Sequence, residues 1–189
     1  MWTELAKLHQ TLATTTVYVT HDQVEAMTLG HWITVMNDGV IQEADTPLAL
    51  YPKPINQFVA GFIGSPAINF TRGEVTDSEF RSGSLRLNVG NVNHAGEAVL
   101  GIRPEDLIHA TDNMDPLFTA TIEVVERMGH ETVIYFQLNW ESMVARIDDD
   151  IAASPGDNLS FSIKERRLHL FDAGPDGGRI ECSMKKESA

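Results

Sequence analysis

Residues 19–23, Val-Thr-His-Asp-Gln, place a histidine between a β-branched apolar run and a predicted helix. A histidine at the carboxyl end of a buried strand stands where ligands bind in open parallel sheets, and it can meet an oxyanion or orient a water. It can also do no more than close a strand end with a hydrogen bond, and spacing alone favours this second reading. His21 is the residue that this position singles out. Other chemistry finds less support. His9, His31, His94, His109, His130 and His169 show no metal-ligand spacing with one another or with Cys182, so surface or internally satisfied histidines are expected and no metal site. Asp148-Asp-Asp150 reads as a solvated turn, since the further ligands and glycine placement of a calcium loop are missing. Ser154 and Ser160 have no histidine partner at a nucleophile elbow.

The elements that must hold His21 follow from pattern. Leu5, Leu8 and Leu12 recur at helical spacing, with Trp2 one turn earlier, and predict a first helix. Thr14–Thr20 is β-branched and aromatic, which predicts a strand covered on both faces. A helix follows from about Asp22 to Leu29, with Asp22 and Glu25 as a capping-box-like pair and Gly30 at its end. Trp32–Met36, Asn37-Asp-Gly39 and Val40–Gln42 predict a hairpin. Asp45-Thr-Pro47 opens a short helix that stops before Pro52. After Gly64-Ser-Pro66 the texture changes to short strands separated by Gly, Asp and Asn: Phe70–Val75, Ser84–Val89, Ala98–Ile102, Phe118–Val125, Thr132–Leu138, Met143–Ile147, Leu159–Ile163 and Arg167–Phe171. The expected division is residues 1–64, mixed α/β, and residues 65–189, mostly β, with a loose tail from Gly174.

Composition narrows the class. Of 189 residues, 14 are Lys or Arg and 27 Asp or Glu, so 14 − 27 gives a net charge of −13, which repels phosphate backbones and argues against nucleic acid as a partner. Hydrophobic residues at 42% and charged residues at 22% suit a folded protein with a core. One cysteine permits no internal disulfide, and no apolar run reaches the length of about 18 residues that a spanning helix needs. A cytoplasmic location is expected. A strand such as Val17–Val19 needs neighbours on both edges, and about 64 residues are too few to supply them. The first segment is therefore expected to be the end of a larger α/β domain, leaving apolar surface uncovered and favouring self-association.

The run Val19-Thr-His-Asp-Gln-Val-Glu-Ala-Met-Thr-Leu29 resembles the switch-histidine segment of ATP-binding-cassette (ABC) ATPases, in particular the importer subunits for maltose, other sugars and sn-glycerol-3-phosphate. Val35–Gln42, Thr46–Tyr51 and Phe58–Pro66 with Asn69-Phe70 extend the resemblance. Gly101-Ile-Arg-Pro-Glu-Asp-Leu107 is similar to the signature of the C-terminal regulatory region of those subunits, and Leu168–Asp172 to its closing strand. One departure is Gly30-His-Trp32, where the family usually has Ala-Asp-Arg.

The resemblance implies an α+β chain: a remnant of the nucleotide-binding domain, then a mostly β regulatory domain of TOBE type with oligonucleotide-binding (OB)-like barrels. It implies that His21 serves the γ-phosphate of ATP in a complete subunit that also holds Mg2+. It further implies a dimer, membrane permease subunits and a solute-binding protein as partners, and a peripheral place at the inner face of the membrane. Yet the sequence has no Gly-x-x-x-x-Gly-Lys-Ser/Thr loop, no Leu-Ser-Gly-Gly-Gln run and no acidic end of a magnesium-binding strand. Gly174–Gly178 is glycine-rich but lacks the lysine and following helix, and reads as a surface turn. With the positioning and charge-stabilising parts missing, the chain alone is expected to hold no cofactor and hydrolyse no ATP; Met1 would then be an internal methionine of a longer subunit. Subunit association and regulation are the expected work. The alternative is a free-standing OB-like module that binds a small anion or oligosaccharide.

Overall fold

The computed structural model describes residues 4, 7, 11, 14–111, 114–147, 151–164 and 167–183. The predicted first helix, carried by Trp2, Leu5, Leu8 and Leu12, lies outside the described residues, as do His9 and Asp148–Asp150. The chain divides into two units, Met1–Ser65 and Pro66–Ala189.

The first unit contains α1 (Gln23–Leu29), β1 (Ile33–Asn37), β2 (Val40–Asp45), α2 (Pro47–Leu50) and α3 (Gln57–Phe62). β1 and β2 form the predicted hairpin, from Asn37↔Val40 to Ile33↔Asp45. Asp38 and Gly39 both have positive φ, 48° and 79°, the turn geometry that matches the twist of paired strands. Pro47 occupies the first turn of α2, where its missing N–H is harmless. Ile33, Val35, Leu50, Val59 and Ile63 make a small core.

The buried strand expected over Thr14–Thr20 is not formed. These residues belong to no ladder, and Val17 and Val19 are 88% and 90% exposed. The cause is the shortage of neighbours: the described residues of this unit offer one sheet, a two-stranded hairpin that does not pair with them.

The second unit contains β3 (Asn69–Thr76), β4 (Glu79–Ser82), β5 (Leu85–Asn88), β6 (Asn91–Val92), β7 (Gly96–Ile102), a 3-10 turn (Pro104–Asp106), β8 (Leu107–His109), β9 (Phe118–Arg127), β10 (Thr132–Leu138), β11 (Glu141–Ile147), β12 (Asn158–Ile163), β13 (Leu168–Asp172), β14 (Arg179–Ile180) and β15 (Cys182–Ser183). Six strands form one sheet in the order β14-β13-β7-β3-β4-β5, and five form another in the order β11-β10-β9-β12-β8. Adjacent strands run antiparallel. Both sheets feed one core. Leu100, Ile102, Leu168 and Leu170 enter from the first, and Ile122, Ile134, Phe136, Ala145 and Phe161 from the second. Phe136 and Phe161 stack with centroids 4.4 Å apart, and Phe118 lies 5.4 Å from Phe161. From Met143 on, β11 alternates buried and half-buried residues, as a strand with one face turned to the core should. β7 is buried from Ala98 to Ile102, because β13 and β3 flank it and both its faces are covered.

The tail is ordered further than expected. β14 pairs with Leu170 and Phe171 at the edge of the six-stranded sheet, and Cys182–Ser183 pairs with Asn91–Val92 in a separate two-stranded sheet. The expected turn at Gly174–Gly178 is present, closed by the Gly177 N–H on the Gly174 carbonyl at 3.1 Å. The whole is α+β, with a mostly β, OB-like second unit.

Candidate functional site

His21 stands one residue ahead of the cap of α1. Asp22 turns the chain into the helix: its Oδ1 accepts the N–H of Val24 at 2.8 Å and of Glu25 at 3.1 Å, satisfying two of the donors that open a helix. Glu25 does not close the expected reciprocal box. Its Oε2 accepts the hydroxyl of Thr20 at 2.6 Å and that of Tyr18 at 3.0 Å. The Asp22 N–H goes instead to Thr20 Oγ1 at 2.9 Å, so Thr20 stands between the two members of the box. The Tyr18 hydroxyl, donating to the Glu25 carboxylate, has its pKa raised above the usual 10.0, because losing that proton would break the bond and set two anions together.

Gln23 adds a tie within the unit: its Oε1 accepts the Gly64 N–H at 2.9 Å, 41 residues away in sequence. Gly30 closes α1 with its N–H on the Ala26 carbonyl at 3.0 Å. Its φ of −75° is ordinary. Glycine is needed there for space, since a Cβ would come within 2.7 Å of the Ala26 oxygen.

His21 is thus exposed on a segment fixed from both sides, and its imidazole has no partner among the described residues. The arrangement presents a ring to something outside it. It does not make a nucleotide site by itself. The nearby hydroxyls are engaged by Glu25, and residues 1–65 include two cations, Lys7 and Lys53. A triphosphate needs several backbone N–H groups and a lysine converging on it, so the residues present do not fit ATP and Mg2+. Among the described residues, no group of three or more His, Cys, Asp or Glu could hold a metal ion.

The second motif, Gly101–Leu107, is structural in its contacts. Pro104 opens the 3-10 turn with Glu105 and Asp106 in its first turn. Arg103 is 2% and Asp106 5% exposed. The Asp106 N–H bonds the Arg103 carbonyl at 3.0 Å, and its own carbonyl accepts the Lys164 N–H at 2.8 Å. Arg167 Nη1 lies 3.5 Å from Asp106 Oδ1, and Lys164 Nζ donates to the Glu105 carbonyl at 2.6 Å. Burial raises the Asp106 pKa, with Glu105 adding to it and Arg167 and Lys164 opposing.

His169 departs from the expectation of a surface or satisfied histidine. It is 7% exposed, and its Nδ1 has no hydrogen-bond partner. Burial, then Arg103 and Arg179, lower its pKa from 6.5 to about 4. Sequence gave no warning beyond its position in an apolar strand. Gln23, Glu25 and Asn69 were likewise invisible as tethers, since each acts on a group distant in sequence or through a rotamer.

Residues 64–107 match the MalK OB fold domain family and residues 100–171 the TOBE domain family. The oligosaccharides import ATP-binding protein MsmX of Bacillus subtilis (strain 168) is 42% identical over 186 residues, covering 92% of this chain and 51% of that protein. The osmoprotective compounds uptake ATP-binding protein GgtA of Synechocystis sp. is 42% identical over 184 residues, covering 89% and 50%. YurJ of Bacillus subtilis, an ABC transporter ATP-binding protein described as uncharacterized, is 39% identical over 189 residues, covering 92% and 52%. The chain thus spans about half the length of the curated relatives it matches. No helix among the described residues is long and apolar enough to cross a membrane.

Proposed function

Because the chain belongs to the C-terminal region of ABC-importer ATP-binding subunits, with a MalK-type OB fold and a TOBE domain, we propose that it works in subunit association and regulation and turns over no ATP alone. The observation that carries this is the segment Thr14–His21. It joins no ladder and is exposed from Thr14 to Val19, yet Glu25 holds Thr20 at its end. Such a segment is built to join a sheet that other residues supply. His21 then serves a nucleotide site completed by those residues. Uptake of a sugar is supported by a relative's description as an oligosaccharide importer protein; sn-glycerol-3-phosphate as cargo, a dimeric assembly, permease and solute-binding partners and a place at the inner membrane face belong to the same proposal and rest on the resemblance of the motifs.

Complementation tests it. The purified chain should take up no Mg-ATP in isothermal titration. Mixed with a separately produced N-terminal half of a relative such as MsmX, it should restore ATP hydrolysis. His21→Ala in the mixture should lower kcat by about 10- to 100-fold, the worth of one hydrogen bond to a charged group. Tight Mg-ATP uptake by the chain alone would overturn the reading, as would hydrolysis indifferent to His21.

A further inference from the structure

The chain has two Asp-Gly steps, Asp38-Gly39 in the β1–β2 turn and Asp176-Gly177 in the turn before β14. Such a step can react with itself, because glycine has no Cβ to shield its amide nitrogen from the neighbouring carboxyl group. The two are chemically alike and structurally opposed. Gly177 is buried, and its N–H is held by the Gly174 carbonyl at 3.1 Å. Asp38 and Gly39 are both exposed. The Asp38 carboxylate and the Gly39 N–H have no partner among the described residues, and nothing lies within 4 Å of the place a Gly39 Cβ would take. The turn also favours ring closure. A succinimide ring holds its own residue near the first central position of a type II′ turn, with positive φ and ψ of roughly −120°. Asp38 already has φ 48°. Type I′ and II′ turns differ by a flip of the peptide between their central residues, both close a two-residue hairpin, and glycine takes either sign of φ. Asp38 thus reaches the reactive shape without unzipping β1 from β2.

We propose that Asp38-Gly39 is a self-modification site whose product is an isoaspartyl residue, the substrate group of repair methyltransferases that use S-adenosylmethionine. The Gly39 nitrogen attacks Cγ of the Asp38 carboxylic acid. The N–Cγ bond forms, the Cγ–OH bond breaks, and the hydroxyl leaves as water with the amide proton. Water then adds to one of the two ring carbonyls. Addition at Cγ breaks the new bond and restores aspartate. Addition at the Asp38 main-chain carbonyl breaks its bond to the Gly39 nitrogen, so the main chain runs on through Cβ and Cγ and a free α-carboxylate remains. That carboxylate is the methyl acceptor. Water is the only reactant besides the chain, and nothing is oxidised or reduced. The methylene added to the main chain no longer fits a two-residue turn. β1 and β2 then lose the register that sets Ile33 and Val35 into the core of the first unit. This inference does not depend on His21 or on a nucleotide site.

The test incubates the purified full chain at neutral pH, either folded or in urea, and digests it. Isoaspartyl peptides are then labelled with purified protein isoaspartate methyltransferase and tritiated S-adenosylmethionine, and mass spectrometry assigns the label. In the folded chain, position 38 should carry about 10-fold more label than position 176, the effect on a rate of one hydrogen bond that need not be broken. In urea, where neither step is held, the two should label alike. Asp38→Ser should abolish the label in its peptide. In folded protein that has been converted, the β1 amides should exchange with deuterium faster than in fresh protein, while that of Ile134 in the second unit keeps its protection. The proposal is overturned by no label at position 38 in the folded chain, or by equal label at 38 and 176 there. It is overturned as well by the same preference in urea, which would place it in the sequence and not in the fold, or by β1 exchange that conversion leaves unchanged.

Discussion

Asn69, at the start of β3, grips Val144, in the middle of β11, by both ends of its amide: Nδ2 donates to the Val144 carbonyl at 2.8 Å and Oδ1 accepts the Val144 N–H at 2.7 Å. The side chain thereby replaces a backbone partner and joins the six-stranded sheet to the five-stranded one. Nδ2 also reaches the Ile102 carbonyl at 3.0 Å. At 5% exposure no water substitutes for it.

Asn69→Leu is therefore expected to destabilise the second unit by about 2–4 kcal/mol, the cost of leaving a donor and acceptors unmet. A urea melt of the variant should show an earlier midpoint with an unchanged slope. A midpoint equal to that of the unmodified chain would mean that the two sheets do not depend on this amide.

Gly101 shows why the first position of its motif is glycine. A Cβ there would meet Ile68 Cδ1 at 2.9 Å and a ring carbon of Phe171 at 3.1 Å, on the face where Phe70 and Phe171 pack edge to face with centroids 5.9 Å apart. Gly101→Ala should cost about 1–3 kcal/mol through overpacking. Gly96→Ala tests a different cause, since nothing lies near its Cβ but its φ is +109°. Pairing Gly101→Ala with Ile68→Val should recover part of the loss in thermal melts, while Gly96→Ala should be unaffected by that second change.

Much of this architecture was legible in the residues. The Asn37-Asp-Gly39 turn, the Pro47 helix start, the Pro104 turn and the long strands from Phe118 to Ile147 all follow from local rules, and the structure follows them. Thr14–Thr20 fails for the opposite reason: its propensity is that of a strand, but strand formation requires an edge to pair with. β14 and β15 are two residues each, too short for a pattern, and depend on exposed edges of strands already in place. The site divides in the same way. Asp22 was readable as a cap, while the diversion of Glu25 to Thr20 and Tyr18 was not, because side-chain choice among several acceptors is set by rotamers.

His169 makes stability depend on pH. Its folded pKa, about 4, lies below the 6.5 of the free group, so the unfolded chain binds the extra proton first. Stability from the neutral ring is complete above pH 6.5 and is lost as pH falls from there towards 4. The neutral ring contributes on the order of 3 kcal/mol at most across that window. Asp106 acts with the opposite sign, since its raised pKa means the folded state binds the proton first and its contribution declines as pH rises through the folded pKa. His169→Phe removes the first dependence and leaves the second. The unmodified chain should lose stability relative to His169→Phe as pH falls from 7 to 4, and parallel curves would refute the assignment.

Glu25 is expected to fix the approach to His21 without supporting the core. Its carboxylate holds Thr20 and Tyr18, and Thr20 in turn holds the Asp22 N–H. Glu25→Gln keeps an acceptor of similar shape but removes the charge. The Tyr18 pKa should then fall back towards 10.0, since the main cause of its elevation is the bond to Glu25. Ultraviolet difference titration can follow this against Tyr135, whose own raised pKa arises from burial and Glu126 and should not move. The amide of Asp22 should exchange with deuterium faster in the variant, while those of Leu100 and Ile134 in the second unit keep their protection. Unchanged Asp22 exchange together with a lowered Tyr18 pKa would show that Thr20 holds the segment without help from the carboxylate, and that His21 is positioned by the helix cap alone.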